Sequence, residues 1–235
     1  MKTQAILACA GSGIRLKTKS PKPFVLLDNR PLFIYALKAM EKCPTIDSVI
    51  VVGQEKYLRA FELLVRQFRL KKVKRIVAGG QTRYESVKKG LAALDCDTEI
   101  VVIHDAARPF VTPKLISQAV SFMKKEMAVV VGVPVKPTIK KVDPNNYYVQ
   151  ETIARETLWE TQTPQVFKKA ILLKAHELRL EKNPTDDAVL VERMGVKVKM
   201  VMGDYQNIKI TTPEDLAVAK MFLNSREKRS KRRTQ

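Results

Sequence analysis

Short runs of consecutive apolar residues alternate along the chain with segments in which apolar residues recur at helical spacing. Residues 3–9 and 47–52 are almost continuously apolar, as strands buried on both faces of a parallel sheet tend to be. Further strand-type runs cover 73–78, 99–103, 127–133 and 196–202. Helical spacing covers 31–42, 56–68, 81–94, 113–125, 168–181, 186–194 and a last segment after Thr212. This alternation predicts an α/β fold built on a doubly wound, mostly parallel sheet.

Composition indicates one domain without a membrane segment. The chain has 235 residues, of which 45% are hydrophobic, which is enough to bury one substantial core. No apolar run approaches the roughly 20 residues that span a bilayer, and no basic flank with an apolar stretch opens the chain. Cys9, Cys43 and Cys96 are odd in number and widely spaced, unlike a disulfide framework or a zinc site. We therefore expect a soluble, cytoplasmic protein.

The net charge is the unusual feature of the composition. It is +19 at pH 7, which favours a substrate or partner rich in phosphate. Part of the excess lies in the segment 225–235, which holds six basic residues, one acidic residue and no apolar residue. We expect this tail to be disordered and to follow a single domain over 1–224. Basic tails also bind nucleic-acid backbones without sequence preference, so that alternative stays open at this point.

The loop after the first strand has the character of a phosphate site. Ala10, Gly11 and Gly13 allow backbone N–H groups to approach anionic oxygens, and Arg15 and Lys22 add positive charge. The loop lacks the third glycine of a dinucleotide fingerprint and the Gly-Lys-Ser/Thr ending of a Walker loop. An ordinary tight loop after an edge strand is the alternative.

A second turn follows the strand at 73–78. Gly79 and Gly80 permit close backbone approach, and Thr82 or Ser86 can bind a base or a ribose. The alternative is a capped helix start with Thr82 or Arg83 facing solvent.

A third turn follows the strand at 99–103. Asp105 can hold Mg²⁺ against phosphates, and Arg108 can bind a second phosphate through two hydrogen bonds. The alternative is an internal ion pair between these two residues, while His104 is expected to satisfy local backbone groups. Because all three turns follow strands of a parallel sheet, they should open on one edge.

Lys209 lies between Ile208 and Ile210, just before the last helix. Alternation alone leaves two alternatives for this lysine, an outward strand residue or a ligand contact. Thr212 is the expected N-cap of that helix, with Pro213 in its first turn.

The motifs occur in one order along most of the chain. They are AGSGIR (10–15), PK (21–22), GGQTR (79–83), SV (86–87), HDAARP (104–109), LW (158–159), QTPQ (162–165), TDD (185–187), NIKIT (207–211) and PEDL (213–216). This ordered set resembles the methylerythritol-phosphate cytidylyltransferase family up to about residue 223. The resemblance implies a Rossmann-like nucleotidyltransferase fold with a protruding β-arm.

The resemblance also implies a reaction in isoprenoid biosynthesis by the non-mevalonate route. A phosphate oxygen of methylerythritol 4-phosphate attacks the α-phosphorus of CTP, and pyrophosphate leaves. The implied catalytic residues are Arg15, Lys22 and Lys209, and Asp105 is the implied ligand of Mg²⁺. The implied nucleotide-binding residues are Ala10, Gly11, Gly13, Gly79, Gly80, Ser86, Asp105 and Ala106.

The acceptor's phosphate is implied to meet Arg108, Thr138, Arg155 and Thr185. Two of these residues lie in the arm at about 136–156, where alternating segments flank an Asp-Pro-Asn-Asn turn, which is typical of a hairpin. In the resembled family this arm interlocks two protomers and lends Thr138 and Arg155 to the partner's site. We therefore expect a homodimer, with a monomer whose arm folds back as the alternative.

Three positions depart from the usual pattern of that family. Cys9 stands where an alanine is common, which places an oxidisable thiol beside the phosphate loop. Pro23 follows Lys22 where glutamine is common, so the position of Lys22 should differ slightly. Pro137 stands where an aspartate often precedes Thr138.

Three other functions compete with this interpretation. Ribitol-5-phosphate cytidylyltransferases share several of the motifs but tend to carry Ser-Val where this chain has Ala106 and Ala107. A nucleic-acid-binding module explains the charge but not the placement of glycines and Asp105 at strand ends. A catalytically inactive interaction protein fits poorly with the cations that the chain retains. We expect CTP and a small sugar-alcohol phosphate as ligands, and neither a nucleic acid nor a membrane as partner.

Overall fold

The computed structural model describes residues 1–11, 13, 16, 18, 20–181 and 184–233, with side chains up to Arg226. The strands are β1 Thr3–Ala8, β2 Leu26–Leu27, β3 Arg30–Pro31, β4 Ser48–Gly53, β5 Val73–Ala78, β6 Ile100–Asp105, β7 Ala128–Pro134, β8 Ile139–Val142, β9 Val149–Ile153, β10 Trp159–Lys168 and β11 Lys199–Met202. The α-helices are α1 Leu32–Lys42, α2 Leu58–Gln67, α3 Arg83–Ala92, α4 Pro113–Ser121, α5 Lys169–Leu178, α6 Ala188–Glu192 and α7 Pro213–Arg233.

Seven strands form one sheet in the order β11-β7-β10-β6-β1-β4-β5. All neighbouring strands of this sheet run parallel except that β10 is antiparallel to both β6 and β7. The predicted doubly wound, mostly parallel sheet is confirmed. The continuous apolar runs are confirmed as central strands, since every residue of β4 and of β6 is buried.

The sheet separates two apolar layers. Alternate residues of each strand face opposite sides, so Leu7 packs with α1, α2 and α4, whereas Ile6 packs with α3, α5 and α6. Phe33 and Phe61 fill the first layer, and their ring centroids are 5.0 Å apart in an edge-to-face arrangement. Helices on both faces leave the carboxyl ends of the parallel strands open, where ligands bind in sheets of this kind.

A third, smaller cluster supports the edge near the site. The two-stranded hairpin of β2 and β3 contributes Leu27, the segment before α7 contributes Ile210, and α7 contributes Ala219. The sequence did not predict this hairpin and assigned Pro31 to the first turn of α1. Instead Pro31 pairs with Leu26 in an extended conformation, and α1 begins one residue later.

Strand β10 was also not predicted. The polar residues 161–163 and Pro164 interrupt any alternation, and proline in a central strand argues against a strand. The structure accommodates them with a register shift between Thr161 and Gln165, which lets the strand rejoin its neighbours. This strand carries Thr163 to the site described below.

The arm is confirmed as an antiparallel hairpin of β8 and β9. Tyr147 adopts a left-handed conformation, with φ of 61°, in the turn between the two strands. Four apolar side chains near the turn are exposed, at 41%, 78%, 74% and 58%, namely Val142, Tyr147, Tyr148 and Val149. The side chains at this end of the arm are therefore not covered by the described part of this chain.

The described part of the C-terminal tail is part of α7. The backbone of 225–233 continues α7 as a helix, because Arg, Lys and Glu favour helices and no glycine or proline interrupts them. Arg226 also donates to the carbonyl of Phe110 over 3.2 Å, and its guanidinium lies 4.9 Å from the centroid of that ring. The start of the tail thus packs on the domain. Within the described residues, no helix combines the length and the apolar character that crossing a bilayer requires.

Candidate active site

A cavity of about 570 Å³ lies at the carboxyl ends of β1, β5 and β6. It is lined by Ala8, Cys9, Ala10, Gly11, Gly13, Lys22, Pro23, Gly80, Gln81, Thr82, Arg83, Ser86, Asp105, Ala106, Ala107, Lys209 and Thr211. The prediction that the three turns open on one edge is therefore confirmed. Cavities of this size accept a drug-sized ligand, and a nucleotide is of that order.

The loop after β1 folds back so that Gly13 lies against Lys22. Gly13 has φ of +69°, and a Cβ added there would lie only 2.6 Å from the Cβ of Lys22. Only glycine suits this left-handed, crowded position, so Gly13 places Lys22 against the cavity. Pro23 lies in a short 3-10 helix with Lys22 and is buried. Arg15, the other predicted cation of this loop, lies outside the described residues.

The turn after β5 is closed by side-chain hydrogen bonds. Ser86 Oγ accepts from the N–H of Gly80 over 3.1 Å and donates to the carbonyl of Thr82 over 2.8 Å. Thr82 is the N-cap of α3, and with Glu85 it forms a capping box. The alternative of a capped helix start is thus correct for Thr82, while Ser86 and Gly80 still border the cavity.

Gly79 and Ala10 bring two of the turns together. A Cβ on Gly79 would lie 2.6 Å from that of Ala10 and 2.8 Å from Ser86 Oγ. Gln54 Nε2 donates to the carbonyl of Ala10 over 3.1 Å. The close approach explains why a small residue stands at each position.

Asp105 is the electrostatic centre of the cavity. Its Oδ1 accepts from Arg83 Nε over 3.2 Å, and its Oδ2 lies 2.7 Å from Lys209 Nζ. Burial opposes ionisation of this carboxyl, but the charges of Arg83 and Lys209 outweigh burial and hold its pKa far below the usual range. Asp105 therefore carries its negative charge throughout the neutral pH range.

Lys209 is directed into the cavity by its neighbours. Ile210 is fully buried and donates its N–H to the carbonyl of Ala107 over 2.8 Å. Because adjacent residues of an extended chain point to opposite sides, Lys209 faces Asp105. An ammonium has three donors, so Lys209 can bind a ligand oxygen while it keeps Asp105.

Among the described side chains, Arg108 does not form the ion pair with Asp105 that was considered as its alternative role. A backbone hydrogen bond of 3.0 Å between these two residues closes the turn. The guanidinium donates to the carbonyls of Asn207 over 2.8 Å and of Thr161 over 3.1 Å, and its Nε has no described partner. Arg108 is only 6% exposed, so phosphate binding by this residue stays a prediction.

His104 is structural, as predicted. Its Nε2 lies 3.1 Å from the carbonyl of Arg108, and its Nδ1 lies 2.8 Å from Thr163 Oγ1. Burial lowers the pKa of His104 to about 4, so the ring is neutral. Thr163 Oγ1 also accepts from the N–H of Asp105 over 3.1 Å. This geometry fits a ring whose Nε2 carries the proton, and it fixes both ends of the turn that presents Asp105.

Sequence reasoning missed the partners of Asp105 that come from distant segments. Arg83 was considered only as a solvated residue, whereas its guanidinium joins Asp105 to Asp187. The spacing of Arg83 and Asp187, 104 residues apart, gives no local signal. Thr163 was quoted only as part of a motif.

The remaining predicted acceptor contacts lie outside the cavity lining. Thr138, Arg155 and Thr185 are all exposed. Arg155 donates to the carbonyl of Lys136 over 2.6 Å, at the base of the arm. Thr138 and Arg155 are thus not among the described residues that line the cavity around Asp105.

Comparisons with known proteins indicate one family. The model of the family IspD, 2-C-methyl-D-erythritol 4-phosphate cytidylyltransferase, matches residues 3–225. Proteins of that name from Alkaliphilus metalliredigens and Caldanaerobacter subterraneus are 42% and 44% identical to this chain over 231 and 226 residues. The matches cover 96% and 95% of this chain, and 95% and 99% of those proteins.

Solved structures give the same result. The 4-diphosphocytidyl-2C-methyl-D-erythritol synthase of Anaerococcus prevotii superposes with a TM-score of 0.84 at 32% identity, over 95% of this chain and 96% of that one. The 2-C-methyl-D-erythritol 4-phosphate cytidylyltransferase of Thermus thermophilus superposes with a TM-score of 0.76 at 29% identity, over 94% and 98%.

Proposed function

Because the chain belongs to the 2-C-methyl-D-erythritol 4-phosphate cytidylyltransferase family, we propose that the cavity around Asp105 is where it transfers a cytidylyl group. The protein is a CTP-dependent nucleotidyltransferase of isoprenoid biosynthesis. It forms 4-diphosphocytidyl-2-C-methyl-D-erythritol and pyrophosphate from CTP and the acceptor. The observation that carries the proposed location is the convergence of Lys22, Asp105 and Lys209 in one cavity.

The chemistry requires positive charge at two places. A phosphate oxygen of the acceptor forms a bond to the α-phosphorus of CTP, and the bond from that phosphorus to pyrophosphate breaks. Negative charge grows on the equatorial oxygens and on the leaving group. Cations that are already in position stabilise this charge without reorganisation. We assign this work to Lys22, to Lys209 and, by resemblance, to Arg15.

We assign the nucleotide contacts by resemblance to the family. Ala10, Gly11 and Gly13 present backbone N–H groups to the triphosphate. Gly79, Gly80 and Ser86 border the cytosine, and Asp105 and Ala106 border the ribose. Support comes from the cavity lining, which includes all of these residues except Gly79. Gly79 contributes indirectly, because its lack of a side chain lets Ala10 and Ser86 lie close together beside the cavity.

A magnesium ion fits this cavity if it arrives with the triphosphate. The described residues hold no cluster of three His, Cys, Asp or Glu side chains. Mg²⁺ needs only one or two carboxylates when phosphates and waters complete its octahedron, and Asp105 supplies one ionised carboxylate. When bound, the ion neutralises phosphate charge. The residues of the chain would then orient the triphosphate around Asp105.

We propose a homodimer in which the arm completes the acceptor site of the partner. The support is that Thr138 and Arg155 lie at the base of an arm whose apolar tip is exposed, away from the cavity lining of the described chain. Apolar side chains of this kind gain most by burial against a second protein. Arg108 and Thr185 would complete the contacts to the acceptor's phosphate.

Polar substitution of the arm tip is expected to dissociate the dimer. The double variant Tyr148→Ser, Val149→Thr removes two side chains that are 74% and 58% exposed, so the fold of the protomer should persist. Sedimentation equilibrium should report a monomer, and KM for the acceptor should rise far more than KM for CTP. Leu63→Ser on α2, at a site 52% exposed, is the matched control and should stay dimeric. An unchanged dimer of the arm variant contradicts the proposed interface.

Pyrophosphate release tests the substrates directly. Purified protein with Mg²⁺ and CTP is expected to release pyrophosphate with 2-C-methyl-D-erythritol 4-phosphate and not with ribitol 5-phosphate. ATP, GTP and UTP serve as matched controls for the base. Pyrophosphate release with ribitol 5-phosphate alone would leave the proposed roles of the cations unchanged and would change the acceptor. No pyrophosphate release with either acceptor would count against catalysis.

We also propose a cytoplasmic location. The support is that Cys9, Cys43 and Cys96 are all free thiols. Reducing compartments keep cysteines in this form.

A further inference from the structure

Arg83 joins two buried carboxylates from distant parts of the chain. It is the first residue of α3. Its Nε donates to Asp105 Oδ1 over 3.2 Å, and its Nη1 donates to Asp187 Oδ2 over 2.6 Å. Nε of Arg83 therefore binds Asp105, while Nη1 binds Asp187.

Asp187 is held rigidly on its other side. It is 1% exposed, and its Oδ1 lies 3.2 Å from Nε2 of the buried His176. Its backbone N–H donates to Oε1 of Gln165 over 3.2 Å. His176 stacks on Tyr84 with ring centroids 4.9 Å apart, and the Tyr84 hydroxyl donates to the His176 carbonyl over 2.8 Å. Side chains from α3, α5 and β10 thus fix one carboxylate that does not line the cavity.

Charge balance explains why this anchor matters. Burial opposes ionisation of Asp187, but the charge of Arg83 and the hydrogen bond from His176 outweigh it and lower the pKa of Asp187. Two carboxylates then share Arg83, and Asp105 keeps one oxygen for Lys209. Without the charge of Asp187, the guanidinium would be attracted to Asp105 alone and would compete there with Lys209.

We propose that Asp187 is a positioning residue, which acts through Arg83 to orient the Asp105 carboxylate and, with it, Lys209. The inference rests on the proposed roles of Asp105 and Lys209 in cytidylyl transfer. It assigns to the TDD segment a function inside the protein, distinct from contact with the acceptor. It also predicts that the residue at position 83 must be arginine. The planar guanidinium presents separate N–H groups to two carboxylates, whereas the single ammonium of a lysine does not.

A double-mutant cycle tests the proposal. Asp187→Asn and Arg83→Lys are each expected to lower kcat about tenfold, and the double variant should lose no more than the larger single loss. KM for CTP, and CTP affinity by calorimetry, should change much less than kcat. Thermal unfolding of each variant should check that it is folded at the assay temperature. A merely structural role would lower Tm without making the kcat losses non-additive.

Asp186→Asn is the matched control. This neighbouring carboxylate accepts from Gln165 Nε2 over 2.7 Å and from the N–H of Val189 over 3.1 Å, and it has no contact with Arg83. The same change of charge in the same segment should leave kcat close to that of the wild type. Additive losses for Asp187→Asn and Arg83→Lys, or an equal loss for Asp186→Asn, would overturn the proposal. If Asp187→Asn does not fold, the Arg83→Lys variant by itself still tests the proposal. A kcat for Arg83→Lys equal to that of the wild type would then overturn it.

Asp105→Asn separates this inference from the proposed function on which it rests. A kcat close to wild type for Asp105→Asn would remove the role of Asp105 itself. A large loss for Asp105→Asn together with normal kcat for Asp187→Asn and Arg83→Lys would retain that role and reject the anchor.

Discussion

Replacement of Lys209 by alanine is expected to lower kcat about 100- to 1,000-fold, the cost of removing one preorganised cation from a transition state. KM for CTP should change much less, because charge on the phosphate oxygens grows as the bond to pyrophosphate breaks. The side chain is well placed for this role. Its Nζ lies 2.7 Å from Asp105, 39% of the side chain is exposed, and the residue lines the cavity.

The measurement for Lys209 is steady-state kinetics of pyrophosphate release, with CTP affinity from calorimetry beside it. Lys220→Ala is the control, since it removes one positive charge from an exposed position on α7. Its net charge therefore equals that of the Lys209→Ala variant. Equal kcat for Lys209→Ala and the wild type would remove Lys209 from the mechanism. A large rise in KM with kcat unchanged would assign it to ground-state binding instead.

The sheet was predictable because its strands obey local rules. β4 and β6 are buried along their whole length, so their apolar runs in the sequence carry the information needed. β10 breaks those rules, since Pro164 and polar residues occupy its middle. Its pairing with β6 and β7 depends on a register shift that is decided by long-range packing. The alternation of apolar and polar residues within one segment carries no information about such long-range packing.

The cavity was predictable for a related reason. Turns that follow parallel strands must meet at one edge, so Gly13, Gly80 and Asp105 converge whatever the details of the helices. The charge pairing inside the cavity was not predictable. Arg83 and Asp105 lie 22 residues apart, and Arg83 and Asp187 lie 104 apart, so only the folded chain reveals that one guanidinium serves both carboxylates.

Arg108 shows the limit of interpreting a motif residue by residue. A guanidinium three residues after an aspartate suggests either a ligand contact or an ion pair with that aspartate. Among the described side chains Arg108 forms no ion pair with Asp105 and donates to the carbonyls of Thr161 and Asn207, one on β10 and one just before Lys209. Because carbonyls rather than carboxylates are its partners, composition and spacing gave no sign of the arrangement.

Loss of the Lys22 side chain is expected to lower kcat about 100-fold or more, since it removes a second cation from the transition state. The structure adds a test that leaves this lysine in place. In Gly13→Ala the new Cβ would lie 2.6 Å from Lys22 Cβ at a φ of +69°, so the loop must move. A displacement of about 1 Å in a catalytic group can cost about 100-fold in rate. Gly13→Ala should therefore reproduce most of the loss of Lys22→Ala.

Gly195→Ala is the matched control for Gly13→Ala. Gly195 has φ of +75° and no atom within 4 Å of its would-be Cβ, so alanine brings the same left-handed strain without a collision. That strain costs about 1 to 2 kcal/mol in either turn, so both variants should lose Tm, whereas only Gly13→Ala should lose kcat. If Gly13→Ala kept its kcat while Lys22→Ala lost it, the contact with Gly13 would not be what positions the lysine. If both kept their kcat, the charge at the leaving pyrophosphate would have to come from elsewhere in the cavity.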